Sequence, residues 1–311
     1  KALLGRKDLD CLVIVSPNFL HAKQLKLIAS LNPLPILVEK PLITNPSDAT
    51  LIQELSKNYP KPIWVAMEYR YMPPVAKLIS QANTLSGGVK LLTIKEHRFP
   101  FLEKVNDWNR FNENSGGTFV EKCCHFFDLM RLFLKAEPVR VFASAAQDVN
   151  HLAERYGGAQ PDIWDNGYVI IDFDNGSRGM LDLCMFADGV RFEQEISLVG
   201  DLGRLDCQIP GPFLAKGETQ EPARLIVSPR APATPVIEEV IVPKAAMDAG
   251  SHQGATFFQH QAFLAAVRSG KPAAVSADDG LMAVLMGLAA QASATTGQAV
   301  EIDAQNFRLL R

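Results

Sequence analysis

Three short apolar runs, rich in β-branched residues, dictate how the first eighty positions can fold: Cys11-Leu12-Val13-Ile14-Val15, Ile36-Leu37-Val38 and Ile63 to Met67. Runs of this length and texture suit strands buried on both faces of a parallel sheet. The stretches between them read as helices. Asn18 is placed to cap one that continues to about Ser30, with Leu20, Leu27 and Leu31 near helical spacing. Pro46 opens a second, in which Ala49, Ile52 and Leu55 share a face and which Tyr59-Pro60 ends. Strand, helix, strand, helix, strand is half of a doubly wound nucleotide-binding sheet of the Rossmann type.

Ligands of such sheets bind outside the carboxyl ends of the strands. The first run ends in Ser16-Pro17-Asn18, with His21 close behind, and the second in Glu39-Lys40-Pro41. Both polar clusters therefore face one crevice, and Lys40 is placed there for chemistry. The plainer reading, a surface Glu39–Lys40 ion pair worth under about 1 kcal/mol, does not explain that position. His21 reads equally well as a crevice residue or as an exposed helix turn.

Beyond Gly87-Gly88 the texture changes. A strand over Leu91–Phe99, a polar loop over Pro100–Ser115 and a helix over Thr118–Leu134 are followed by strands over Val139–Ala145, Tyr168–Phe173, Gly179–Cys184, Glu195–Val199 and Arg204–Cys207. Helices near Phe257–Ser269 and Asp279–Thr296 close the chain, and Pro210 to Pro243 reads as a surface excursion. The fold class expected is α/β: an incomplete Rossmann-type parallel sheet (residues 1–80) followed by an α+β domain with a large, mostly antiparallel open sheet (residues 81–311).

A net charge of -3 gives no electrostatic footprint for nucleic acid or an anionic membrane. No apolar stretch approaches the roughly 20 residues of a spanning helix. The five cysteines are scattered and contain no Cys-x-x-Cys pair, which argues against a disulfide framework or a structural metal and fits a reducing cytoplasm. A dinucleotide site ordinarily needs Gly-x-Gly-x-x-Gly in its first strand–helix turn. None of the 21 glycines here is separated from another by a single residue. The expectation is a fragment lacking roughly 50–70 N-terminal residues, about the missing β-α-β half.

The second chemical cluster lies in Ser115-Gly116-Gly117-Thr118-Phe119-Val120-Glu121-Lys122-Cys123-Cys124-His125-Phe126-Phe127-Asp128. On one continuous helix Glu121, His125 and Asp128 fall within about 60° of each other. Phe119, Cys123, Phe126 and Met130 gather opposite. A histidine flanked by two carboxylates would have its ionised form favoured, as in an acid–base device, or the three would be a solvated face. Arg70 reads as structural, and His97, His151, His252 and His260 have no partner pattern.

Taken together, Ser16-Pro17-Asn18-x-x-His21, Glu39-Lys40-Pro41, Tyr69-Arg70-Tyr71-x-Pro73, Gly116-Gly117 ahead of Glu121-x-x-x-His125-x-x-Asp128, and Asp165-Asn166 before a strand resemble the glucose–fructose oxidoreductase / inositol dehydrogenase (Gfo/Idh/MocA) family. Phe263, Ala266, Gly270, Pro272, Val275, Asp279-Gly280, Gly297 and Val300 fall where that family has its closing helices. The resemblance implies an NAD- or NADP-dependent oxidoreductase of a sugar, polyol or related hydroxy compound. Lys40 matches the lysine that bonds the substrate hydroxyl, and His125 the general base. Glu121 stands where many members have aspartate, so its part as a third catalytic residue, orienting His125 or gripping substrate, carries an extra methylene. Ser16, Pro17, Asn18, His21, Glu39 and Lys40 match cofactor-side positions, and Trp108 and Arg110 a Trp-Arg element near the nicotinamide. A homodimer or homotetramer is implied as well. A binding protein without turnover, or an NAD-dependent glycosidase, would share the scaffold.

Overall fold

The computed structural model describes residues 2–212, 221–231, 233–250 and 252–310. Its first sheet is parallel, in the order β1 (Leu12–Ile14), β2 (Ile36–Val38), β3 (Ile63–Val65), with Leu12 opposite Ile36 and Ile36 opposite Ile63. Helices α1 (His21–Leu31) and α2 (Ala49–Asn58) make the crossovers. Strands β2 and β3 are buried throughout, as their apolar runs require. The first run departs from the expectation. β1 is the sheet edge, and Val13 and Val15 stand 47% and 73% exposed. Asn18 also does not cap: it starts a 3-10 turn, Asn18–Leu20, and its side chain turns to a distant partner.

After α3 (Pro73–Ser86) comes a ten-stranded sheet, counted among the described residues. Its strands are β4 (Val89–His97), β5 (Pro138–Ala146), β6 (Asn166–Phe173), β7 (Arg178–Cys184), β8 (Phe192–Gly200), β9 (Gly203–Pro210), β10 (Ala223–Pro229), β11 (Val236–Val240), β12 (Val300–Asp303) and β13 (Arg308–Leu310). They run in the order β11-β10-β9-β8-β4-β7-β6-β5-β12-β13, antiparallel except where β4 meets β7. The fold is thus the expected small parallel sheet followed by a large, mostly antiparallel one. The stretch read as a surface excursion corrects to two strands, β10 and β11, that extend one edge; residues 213–220 and 232 of it lie outside the described residues. Proline content masked the alternation in which Ala223 and Leu225 point inward.

The polar loop holds a 3-10 turn (Val105–Arg110) and a short helix, α4 (Asn112–Ser115). The helix expected over Thr118–Leu134 is two: α5 (Thr118–Glu121) and α6 (Cys124–Leu134), separated at Lys122 and Cys123. Gly116 and Gly117, at φ 82° and 88°, make the left-handed turn into α5, where a side chain on Gly117 would collide with Gln291. Chain closure comes from α7 (Lys244–Asp248), α8 (Ala255–Ser269) and α9 (Ala277–Thr296). Ser276 and Asp279 cap α9 reciprocally, each side chain accepting the other's backbone N–H at 3.1 and 2.9 Å. Gly287 brings α9 directly onto α5: a Cβ there would lie 2.7 Å from the Phe119 carbonyl oxygen. None of the helices among the described residues is long and apolar enough to cross a membrane.

Candidate active site

The carboxyl ends of β1 and β2 and the α5–α6 segment meet at one place. Lys40 follows β2, and its Nζ donates to the backbone oxygen of Glu121 at 2.8 Å, with Glu121 Oε1 at 3.5 Å. Asn18, following β1, donates from Nδ2 to the other carboxylate oxygen, Oε2, at 2.5 Å. Burial works against the Lys40 charge, but Glu121, Cys124, Glu39 and Glu68 outweigh it, so its pKa is raised and the ammonium persists. An ammonium has three donors, so Lys40 retains capacity for an acceptor beyond Glu121.

His21 is fully buried. Its Nδ1 faces the Pro41 carbonyl at 2.8 Å and Nε2 the Ser16 carbonyl at 2.9 Å. Neither an exposed turn nor a ring presented to a ligand describes it: the ring sits between the two strand-end loops, and burial keeps it neutral, so its single N–H donates to one of the two carbonyls. Ser16 Oγ donates to Gln24 at 2.9 Å. Glu39, half-buried beside Lys40, has its carboxyl pKa raised by desolvation.

His125 sits on the first turn of α6, 3% exposed. Its ring lies flat on that of Tyr69, with centroids 4.1 Å apart and planes 4° from parallel. The expected carboxylate–imidazole–carboxylate array does not form. The break at Lys122–Cys123 turns Glu121 toward Asn18 and Lys40, while Asp128 accepts from Arg70 Nε and Nη2 at 2.6 and 2.5 Å. Nor is that face solvated, since Glu121, His125 and Asp128 are all buried. In place of two anions favouring the imidazolium, desolvation disfavours it, and the Lys40, Lys122 and Arg98 charges reinforce the effect. The pKa of His125 is held well below the ordinary histidine value, and the ring is neutral at neutral pH.

Trp108 packs edge-on against Phe19, ring centroids 6.3 Å apart. Arg110, 2% exposed, donates from Nε to Glu154 at 2.9 Å and pins the loop around residue 154 to its own. Five residues escaped sequence reasoning: Lys122, Glu96, Arg98, Glu193 and His252. Lys122 is 4% exposed and bridges Glu96 and the Tyr69 hydroxyl; Glu193 lies near Arg98; and His252, read as ordinary, tilts over Tyr69 at 5.0 Å. The available signal was a lysine inside an otherwise apolar segment, Lys122 before Cys123-Cys124-His125-Phe126, which demands a buried partner. His252 carried none.

The Arg70–Asp128 fork is nearly enclosed, with side chains 14% and 1% exposed. Arg70→Met strands the Asp128 carboxylate and is expected to cost about 3–5 kcal/mol, read as a lower denaturant midpoint at unchanged slope. A loss below about 1 kcal/mol would show the pair to be no more than a surface contact.

Two family models match the chain. One, described as the oxidoreductase family's C-terminal alpha/beta domain, covers residues 86–302, and the other, its NAD-binding Rossmann fold, residues 1–67. The chain belongs to the Gfo/Idh/MocA oxidoreductase family. Among curated members, myo-inositol 2-dehydrogenase of Thermotoga maritima is 24% identical over 97% of this chain and 82% of its own length. YteT of Bacillus subtilis is 30% identical over 119 residues, which is 36% of this chain and only 27% of that protein. Levoglucosan dehydrogenase, solved with NADH and levoglucosan, superposes with a TM-score of 0.79 at 19% identity, over 97% of this chain and 83% of that one; the likeness is one of fold. Lys40 and His125 of this Gfo/Idh/MocA chain thus stand in an oxidoreductase framework with inositol and sugar dehydrogenases among its relatives.

Proposed function

We propose that this protein transfers a hydride between a nicotinamide cofactor, NAD or NADP, and a secondary alcohol of a sugar or polyol. The observation that carries the reading is Lys40 at the carboxyl end of a parallel strand, bonded to the backbone oxygen and near the carboxylate of Glu121, four residues ahead of the buried His125. The residues suit the nicotinamide end of a cofactor: Ser16, Pro17, Asn18 and Glu39 line the strand ends, and Trp108 packs on Phe19 beside Asn18. When bound, the nicotinamide supplies the hydride acceptor. The chain's own residues handle the proton. Lys40 donates a hydrogen bond to the substrate hydroxyl oxygen and stabilises the negative charge that grows there. His125, as the free base, takes the hydroxyl proton. Glu121, held by Asn18, fixes Lys40 through its backbone oxygen and carboxylate. His21 keeps the Ser16 and Pro41 loops at a constant separation. Assembly as a homodimer or homotetramer would use the uncovered face of the large sheet, where Phe142, Tyr168 and Ile170 stand exposed.

The test is a panel of inositols, aldoses and anhydrosugars with NAD or NADP, followed by the absorbance of reduced nicotinamide and by product analysis. Oxidation of one member with one equivalent of reduced cofactor is expected. Binding of a polyol with neither cofactor reduced would instead favour a non-catalytic binding protein. Net cleavage of a glycosidic bond would favour a glycosidase.

A further inference from the structure

Beneath the His125–Tyr69 stack lies a buried charged cluster for which the proposed chemistry has no direct use. Lys122 Nζ sits 2.7 Å from Glu96 Oε1, on β4, and donates to the Tyr69 hydroxyl at 2.6 Å. Arg98 approaches the same Glu96 oxygen at 3.5 Å and Glu193, on β8, at 4.0 Å. Stability is a weak reason for such a lysine, because a buried pair often does no better than an apolar replacement of the same shape. What Lys122 adds is direction. It fixes the hydroxyl end of Tyr69, and the face of that ring is what His125 rests on.

His125 needs such a support. The orientation of a working histidine is ordinarily set by a hydrogen bond at its second ring nitrogen. Here Nδ1 is enclosed and has no hydrogen-bond partner among the described residues. Nothing at that atom fixes the rotation of the imidazole, whereas a ring 4.1 Å away and 4° from parallel does.

We propose that Lys122 is a positioning residue for the reaction: braced on Glu96, it holds the Tyr69 phenol, whose stacked ring replaces a hydrogen bond in fixing the plane of His125. The proposal rests on the reading of His125 as the general base. Charged and titratable groups face that imidazole from several elements. Lys40 comes from behind β2, Tyr69 and Glu68 from the turn after β3, Glu96 from β4 and Arg98 from just past its end, Glu193 from β8, and His252 from ahead of α8; Glu121, Lys122, Cys124 and Asp128 belong to its own segment. Lys40, Lys122 and Arg98 oppose its protonation, and His252, lowered by burial to about 3, stays neutral. Glu193, raised by burial and Glu96 to about 7, is the cluster member that titrates near neutrality.

The test is a double-mutant cycle of Lys122→Met and Tyr69→Phe in a chain that carries all 311 residues, read in two ways. In the first, the His125 ring resonance, assigned by its loss in His125→Asn, is titrated by NMR without substrate. Lys122→Met is expected to move that titration upward, toward the ordinary histidine range, and to broaden the line as the ring loses its fixed plane. In the second, each single variant is expected to lower kcat about tenfold with KM little changed, the double variant no more than the worse single, and Lys122→Arg to recover most of the loss. An unmoved, sharp His125 resonance in Lys122→Met overturns the proposal whatever happens to kcat, and so do losses that simply multiply. If the wild type turns a substrate over and His125→Asn does so equally well, the general-base reading fails while the titration still decides the role of Lys122. Should Lys122→Met not fold because Glu96 loses its nearest cation, Lys122→Met with Glu96→Gln removes both charges and carries the same readouts.

Discussion

His125→Asn lowers kcat by about a hundred- to ten-thousand-fold, the span that one positioned proton acceptor contributes, with KM changing far less. The expectation follows from where the ring sits. It is enclosed and neutral, so it stands in the proton-accepting form throughout the working pH range, although burial and the nearby cations oppose the imidazolium. The pH profile carries the sign. A base must be unprotonated to act, and this one has its pKa pressed below the ordinary value by desolvation first, then by Lys40 and Lys122. In the wild type kcat/KM should therefore stay level as pH falls through the usual histidine range and decline only well below it. Steady-state kinetics between mildly alkaline and acidic pH measure this. A wild-type profile breaking at the ordinary histidine pKa would mean that the ring is solvated and its environment misread; an active His125→Asn would remove it from the chemistry.

The sequence made the scaffold legible because buried parallel strands announce themselves as short apolar runs, and the strand-end rule then pointed to Ser16-Pro17-Asn18 and Glu39-Lys40 without any knowledge of the rest. Helical periodicity was informative in a narrower way. It grouped Glu121, His125 and Asp128 on a single face but could not say what packs upon that face. Asn18 and Glu121 are 103 residues apart in sequence and Arg70 and Asp128 are 58 apart. Those partners, not helix geometry, decide that the carboxylates serve a lysine and an arginine and leave the histidine alone. The break at Lys122–Cys123 was hidden for the same reason: no proline or glycine marks it, and Phe126 and Phe127 both donate to the Cys123 carbonyl, at 2.9 and 3.0 Å, to carry the chain across. The Lys122 cluster draws on β4 and β8, brought together only by the large sheet. β10 and β11 were lost to composition, since prolines and alanines in the flanks outweighed the alternation within.

Lys40→Met removes the ammonium while keeping most of the stem's bulk, and kcat/KM is expected to fall by about a hundred- to a thousand-fold, as when one preorganised donor to a developing oxyanion is lost. Two effects must then be separated, because both come from the same charge. The first is the loss of stabilisation at the substrate oxygen, which lowers the pH-independent plateau. The second acts on His125: Lys40 is the largest electrostatic contributor to its depressed pKa, so without it the acid limb of the profile moves upward. A fall in the plateau with an upward-shifted limb identifies both roles. A shifted limb with an intact plateau would restrict Lys40 to tuning the base, and the alkoxide would need another donor. Lys40→Arg sharpens the distinction. A guanidinium restores the positive charge, and so the position of the limb, but its planar fork cannot reproduce a compact ammonium between Glu121 and a hydroxyl. The limb should return nearly to its wild-type position while most of the plateau loss remains. Recovery of both by arginine would show that charge alone sufficed, and the hydrogen bond from Lys40 to the substrate would no longer be required.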